Sequence, residues 1–177
     1  MIAHVVAHVF PAAFSLLPME MNTPQARAML IAIGLRESKF IYRRQISFGP
    51  ARGFWQFEKA GVRGVMHHDA TRDDVLRVLR ALRYDDYIGK TADVHVTLRD
   101  NDTLACCFAR LLLWTVPGRL PNVGEPALGW AQYLEGWRPG AVLGSGTVEA
   151  ALRKPRPVEW DRYFTTGWVH AITGEHP

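Results

Sequence analysis

Residues 104–114 form a stretch that is apolar on every side of a helix except at Arg110. Asn101 or Asp102 precedes it as a candidate N-cap, and Pro117 follows it. A helix that is hydrophobic all round must lie inside a domain, with other elements packed around it. Strand signals are scarce elsewhere in the chain, so the sequence predicts a central helix surrounded by further helices.

The composition is that of one folded domain. The chain has 177 residues, of which 48% are hydrophobic and 21% charged, and this excludes a disordered tail, a collagen-like fibre and a coiled coil. The net charge of +4 suits an anionic partner such as nucleic acid, a phospholipid surface or bacterial cell wall, without selecting among them. We expect a single all-α domain over residues 1–177, with an N-terminal helix (1–20), a core (23–140) and a C-terminal helix (157–174).

The first seventeen residues are apolar and allow two interpretations. A cleaved signal peptide would have a cationic start and a small-residue cleavage site, and the segment shows neither clearly. A packed first helix accounts for the helical spacing of its apolar residues, with Pro18 ending it. We favour the packed helix and expect no signal peptide. We also expect no membrane span, because no apolar run reaches about 18 residues.

The second helix carries the residue that breaks the apolar pattern. Thr23 and Pro24 predict its start, and we expect it to run to about Ile41. We expect the next helix to run from about Phe54 to Met66. A turn of about 100° per residue places Glu37 inside an apolar arc of roughly 120°, with Ser38 outside it. A carboxylate in that position must be paired, or burial must raise its pKa.

Two explanations of Glu37 follow from the residues alone. The first is a structural ion pair with Arg43, Arg44 or Arg52. The second is a general acid, because cleavage of a glycosidic bond needs a carboxylic acid that is still protonated near neutral pH, and burial against apolar groups provides one. The residues leave both explanations open.

A loop downstream of the Glu37-Ser38 pair matches a known pattern at four positions: Ser47, Ala51, Gly53 and Gln56. With that pair, residues 26–57 resemble the catalytic core of lytic transglycosylases and goose-type lysozymes, in which a Glu-Ser pair is followed by Gly-Ala-x-Gly-Leu-Met-Gln. Here Phe-Trp replaces Leu-Met, and the first glycine is shifted by one position. The resemblance implies a lysozyme-like fold, similar to soluble lytic transglycosylases, in a compact form common in bacteriophage genomes.

The resemblance also implies roles for individual residues. Glu37 is the expected acid and base, Ser47 steadies the substrate or the carboxylate, and Gln56 hydrogen-bonds a sugar. Gly53 is expected either to let the backbone approach the ligand closely or to be a plain turn glycine.

Aromatic residues supply the remaining candidates for substrate binding. Phe54 and Trp55 could stack on sugar faces, although we favour core packing for one of the two. In the family, a tyrosine from an Ala-Tyr-Asn-Ala-Gly stretch lies near the catalytic glutamate, and residues 112–116 of this chain lack it. Trp114, Tyr133 and Tyr163 are the candidates to replace it.

The expected activity is cleavage of peptidoglycan glycan strands at the β-1,4 bond between N-acetylmuramic acid and N-acetylglucosamine. The resemblance favours a lytic transglycosylase that forms a 1,6-anhydro ring with one carboxylate. A hydrolytic lysozyme is the first alternative and needs a second carboxylate, for which Glu58, Asp69, Asp73 and Asp74 are candidates. A non-catalytic phage tail or wall-binding protein that keeps the fold is the second.

Other chemistries have weak support in the sequence. The two cysteines, Cys106 and Cys107, are adjacent, and no HExxH pattern or zinc spacing is present. Arginines between residues 72 and 83 fit a solvated helix face better than a nucleic-acid site. We therefore expect no metal, cofactor or nucleic-acid partner. The expected partners are glycan strands and other phage virion proteins, and the expected location is the virion, or the periplasm and cell wall after release.

Overall fold

The computed structural model describes residues 1–46, 49–138 and 147–173. These residues form helices and turns but no strand, and their extended contacts are isolated bridges from Arg52 to Arg44 and to Phe57. The predicted all-α class is therefore confirmed for this part of the chain. None of its helices has the length and apolar character that crossing a membrane requires.

The helical elements follow one another in chain order. They are α1 (Ile2–His4), a π-helical segment (Val5–Val9), α2 (Phe10–Phe14), a 3-10 turn (Met19–Met21), α3 (Pro24–Glu37), α4 (Lys59–His67), α5 (Arg72–Ala81), a 3-10 turn (Asp85–Tyr87), α6 (Thr91–Thr97), α7 (Asp102–Thr115), α8 (Pro126–Trp137), α9 (Val148–Ala151) and α10 (Val158–Thr173).

Helix α7 is the predicted central helix. Its start is capped by Asn101, whose side-chain oxygen accepts a hydrogen bond from the Leu104 amide at 2.9 Å. Helices α2, α3, α4, α5 and α8 all contact it. The N-terminal segment packs in this core, since Val5 and Ala13 are fully buried and the Cys107 thiol donates to the Ala13 carbonyl at 3.6 Å.

Helix α3 is more deeply buried than the predicted apolar arc implies. It contacts α7 and packs along α10, so every residue from Ala28 to Gly34 is buried. The close approach of α10 depends on Gly167, where an added Cβ would lie 2.3 Å from the Ala28 carbonyl oxygen. The last turn of α3 is less buried than this segment, and Glu37 is its last residue.

Two predicted helix boundaries are wrong: the end of α3 and the start of α4. Helix α3 ends at Glu37 rather than near Ile41, because Lys39 and Phe40 take left-handed backbone angles, with φ of 54° and 55°. The next helix begins at Lys59 rather than near Phe54, because the intervening segment turns sharply and its glutamine also has a positive φ. Local periodicity carries no sign of either turn.

We predict that Gly167→Ala destabilises the protein by about 1–3 kcal/mol, because the new methyl group must displace the backbone of α3. Gly64→Ala in α4 is the matched control, since no atom lies within 4 Å of the added Cβ. It should be neutral, or stabilising by up to about 1 kcal/mol through helix propensity. Chemical denaturation of both variants checks this, and equal stabilities would contradict the packing argument.

Candidate active site

Glu37 lies at the edge of a cleft of about 560 Å³. The cleft is formed by the end of α3, the loop after it, the start of α4 and the last turn of α8. Its polar lining residues are Glu37, Gln45, Gln56, Glu58 and Arg138. The opposite side of α3 is sealed by the core, so the cleft is the carboxyl group's route to solvent and to a ligand.

The hydrogen-bond partner of Glu37 is a tyrosine. The Tyr133 hydroxyl of α8 donates to Glu37 Oε1 at 2.5 Å. Burial raises the pKa of Glu37 to about 7, the Tyr133 hydrogen bond and the positive charge of Arg36 lower it, and the negative charge of Glu58 raises it. Burial is the largest of these effects, so the protonated form of the carboxyl group persists to near-neutral pH.

Two of the three arginines expected to pair with Glu37, Arg43 and Arg52, have other partners. Arg43 forms two hydrogen bonds with the Asp102 carboxylate, at 2.8 and 2.6 Å. Arg52 donates from Nη1 to the carbonyls of Gly49 and Ala51. These two arginines therefore tie the loop to α7 and to itself, and the ion-pair explanation of Glu37 through them is wrong.

Tyr133 is held in place by three tryptophan rings. It stacks on Trp160 at 5.4 Å and on Trp137 at 6.3 Å, and Trp130 lies 5.1 Å away. Burial and the neighbouring Glu37 raise the pKa of the Tyr133 phenol above its ordinary value. The phenol therefore keeps its proton and remains a donor to the carboxyl group across the physiological pH range.

The segment after Glu37 fixes the end of α3. The Ser38 hydroxyl donates to the Phe54 carbonyl at 2.7 Å and accepts from the Phe40 amide at 3.1 Å. The Phe40 ring packs so closely under Gly34 that an added Cβ there would lie 2.1 Å from it. Ser38 is buried, contrary to its predicted place outside the apolar arc, because the helix ends there and the chain folds back. These contacts hold a strained turn directly beside the carboxyl group.

Gly53 is a turn glycine rather than a point of ligand approach. It has φ +73°, its amide donates to the Arg43 carbonyl at 2.9 Å, and an added Cβ would lie 2.8 Å from the Leu98 carbonyl. Gln56 lines the cleft, but its side-chain nitrogen donates to the carbonyls of Gly53 at 2.8 Å and Tyr42 at 3.2 Å. Its amide therefore also has a structural role in the loop.

The expectation that Phe54 or Trp55 stacks on a sugar is wrong. Both side chains are fully buried, and the Trp55 indole donates to the Leu30 carbonyl of α3 at 2.8 Å. Each ring fills the core beneath the loop because the chain there turns instead of starting a helix. Two other aromatic residues do line the cleft: Phe57, which is buried, and Trp137, which is half-buried and donates to the Trp55 carbonyl at 2.9 Å.

The three candidates for the absent tyrosine fall in different places. Tyr133 reaches Glu37, whereas Tyr163 is half-buried against the core on α10 and does not line the cleft. Trp114 lines a different cleft on the other side of α7. The remaining candidate site residue, Ser47, lies outside the described residues.

Two residues of the cleft, Trp137 and Glu58, are not among the site residues that the sequence predicts most directly. Trp137 lies one helical turn after Tyr133, a spacing that could have indicated it. Glu58 was one of four candidates for a second carboxylate, and of those four it is the one that lines the cleft. No group of three or more potential metal ligands occurs among the described residues.

Comparisons with protein-family models, with curated proteins and with solved structures found no match for this chain. The fold and the site together define an all-α domain with a partly buried carboxyl group at the edge of a polar cleft. A tyrosine donor, the rings of Phe57 and Trp137 and a second glutamate accompany that carboxyl group.

We predict that Glu37→Gln stabilises the protein at high pH but not at low pH. The folded-state pKa of about 7 lies above the ordinary glutamate value of 4.5. Ionisation therefore favours the unfolded state, and stability is lost as the pH rises from about 4.5 to about 7. The stability advantage of the variant should grow over this window by up to about 3 kcal/mol. Glu159→Gln, at an exposed position of α10, is the control, and parallel stability curves for wild type and Glu37→Gln would contradict the burial argument.

We predict that Tyr133→Phe moves the pKa of Glu37 further above 7, because the variant loses a hydrogen bond that stabilises the charged form. Titration of the Glu37 side-chain carboxyl carbon by NMR measures the change directly. Tyr163→Phe removes a hydroxyl elsewhere on the core surface and should leave the titration unchanged. A lower pKa in Tyr133→Phe would show that the phenol does not act as a donor to the carboxylate.

Proposed function

We propose that this protein is a lytic transglycosylase with a lysozyme-like fold, which cleaves peptidoglycan between N-acetylmuramic acid and N-acetylglucosamine. One observation carries the proposal: Glu37, at the motif's glutamate position, has a pKa raised to about 7 inside a polar cleft. A general acid must be protonated near the working pH, and this pKa provides that form. Phage origin, with delivery in the virion or during lysis, belongs to the same proposal and depends on the motif resemblance alone.

Glu37 performs both proton transfers in the proposed reaction. Its protonated carboxyl group donates to the oxygen between the two sugars as the bond from that oxygen to the muramyl C1 breaks. The resulting carboxylate then takes the proton from the muramyl C6 hydroxyl. The C6 oxygen bonds to C1 and closes a 1,6-anhydro ring. The carboxyl group is regenerated, and water is not consumed.

Tyr133 fits this cycle as the partner of the carboxyl group. It donates to Oε1, which leaves Oε2 to carry the transferred proton. Its hydrogen bond stabilises the carboxylate that forms after the first transfer and so counters part of the burial effect. The proposal gives Tyr133 the place of the tyrosine that the family motif carries after the central helix, supplied here by α8.

A hydrolytic lysozyme remains the second candidate because of Glu58. This glutamate lines the same cleft as Glu37 and raises its pKa by charge repulsion. A second carboxylate could activate a water molecule or stabilise the positive charge that develops on the sugar. The products then have reducing ends instead of anhydro rings.

We predict that Glu37→Gln slows release of soluble muropeptides from purified peptidoglycan at least about 100-fold, because it removes the general acid. The wild-type rate should fall as the pH rises through about 7, where the carboxyl group loses its proton. Mass spectrometry of the products tests the mechanism, since anhydro ends are one water lighter than reducing ends.

Glu58→Gln separates the two candidate mechanisms. It should retain turnover and anhydro products if Glu37 acts alone. Reducing ends together with loss of activity in Glu58→Gln would replace the transglycosylase with a hydrolase. Equal release by wild type and Glu37→Gln would reject Glu37 as the general acid. No release by either protein would leave a non-catalytic wall-binding protein.

A further inference from the structure

A second cleft, of about 330 Å³, lies beside the C-terminal end of α7. Its lining includes Glu20, Gln25, Arg110, Trp114, Arg119 and Asn122. Among the described residues it shares no lining residue with the Glu37 cleft. Leu112 lines the Glu37 cleft and Trp114 the second one, and two residues along a helix are about 200° apart. The two clefts therefore lie on opposite sides of α7.

Trp114 presents an open aromatic surface in this second cleft. The Arg110 guanidinium lies 4.9 Å from the ring centroid and covers one face of the indole. Arg110 itself is 1% exposed and is fixed by its Nε–H, which donates to the Met21 carbonyl at 2.8 Å. The indole is nevertheless 40% exposed, so its outer face is open. The cation beneath the ring anchors it in one orientation.

Planar polar groups line the same cleft as this ring. The Gln25 side-chain amide donates to Asn122 Oδ1 at 3.2 Å, and Arg119 pairs with both carboxylate oxygens of Glu125 at 2.6 Å. Glu20 adds an exposed carboxylate. The cleft thus combines one rigid aromatic face with amide, guanidinium and carboxylate groups of both charges.

These groups match the chemistry of a neutral sugar. The C–H face of a pyranose ring packs on an aromatic ring, while its hydroxyl and acetamido groups exchange hydrogen bonds with planar side chains. A simple anion fits less well, because Glu20 lies in the same cleft as the arginines. The burial of Arg110 also leaves little of its guanidinium accessible to an anion.

The geometry points to a second saccharide-binding site at Trp114, which holds a glycan strand on the side of α7 opposite Glu37. It rests on the proposed function only for the identity of the polymer, a strand of β-1,4-linked N-acetylated sugars. Because the site is separate from the cleft that is proposed to cut, it retains the protein on the insoluble polymer without contributing to the chemical step.

The direct test is an NMR titration of the Glu37→Gln protein with chitotetraose, which prevents turnover by Glu37 during the measurement. The Trp114 indole N–H resonance is identified by its loss in a Glu37→Gln/Trp114→Phe double variant. We expect this resonance to shift with chitotetraose. No shift, or a shift with sodium acetate or phosphate but not with the sugar, would overturn the inference, the latter in favour of an anion site.

Retention on the polymer provides a second measurement, with purified peptidoglycan sacculi as the probe. Trp114→Ala should bind about fivefold to tenfold more weakly, whereas Trp114→Phe keeps an aromatic face and most of the affinity. Val123→Ala, at an exposed apolar residue outside the cleft lining, should bind as wild type does. Equal binding by Trp114→Ala and wild type would contradict the site.

The experiments distinguish an error in the Trp114 saccharide site from an error in the proposed catalytic activity. If Glu37→Gln degrades peptidoglycan as fast as wild type, the catalytic proposal is wrong, yet the indole titration still reports on Trp114. If the catalytic proposal holds, Trp114→Ala should cut a soluble glycan fragment at the wild-type rate and be slower on sacculi alone. Equal slowing on both substrates would place Trp114 in the catalytic machinery and refute a separate site.

Discussion

The burial of α3 between α7 and α10 is the constraint on which the rest of this structure depends. Gly167 lets α10 approach the backbone of α3 closely, and α7 covers another side. Helix α3 has one acidic residue, Glu37, which lies at its C-terminal end, just beyond the fully buried segment from Ala28 to Gly34. The same enclosure withdraws that group from water and raises its pKa.

The position of Glu37 is maintained against an energetic cost. The group is partly desolvated, and it lies at the negative end of the α3 dipole, which also disfavours its charged form. The strained left-handed turn beside it adds to that cost. The core repays these costs through the stacked rings around Tyr133 and the Ser38 hydrogen bonds. Such an exchange of stability for a poised group is common at functional sites, where local rules of folding are broken for a chemical purpose.

Helix α7 separates the two clefts of the molecule. Leu112 lies under the Glu37 cleft, and Trp114 opens into the second cleft. A single buried helix can do this because residues two positions apart project in nearly opposite directions. Arg110, the one charged residue of its apolar stretch, has its guanidinium against the Trp114 ring instead of in an ion pair among the described residues. Arg110, which interrupts the apolar pattern of α7, therefore supports the exposed Trp114 ring. Glu37, which interrupts the pattern of α3, lines the other cleft.

The sequence by itself determined the helical class, the central position of α7, the cap residue of α3, and the unusual place of Glu37. These properties are local, because they depend on helical periodicity and on side chains within a few residues of one another. It did not determine where α3 ends, that Phe54 and Trp55 are buried, or which aromatic residue accompanies the carboxyl group. Tyr133 is 96 residues from Glu37 along the chain, and only the packing of α8 on α7 and α10, which both contact α3, brings the two together. The raised pKa was likewise decided by the tertiary structure, because desolvation is a property of the whole enclosure and not of any short segment.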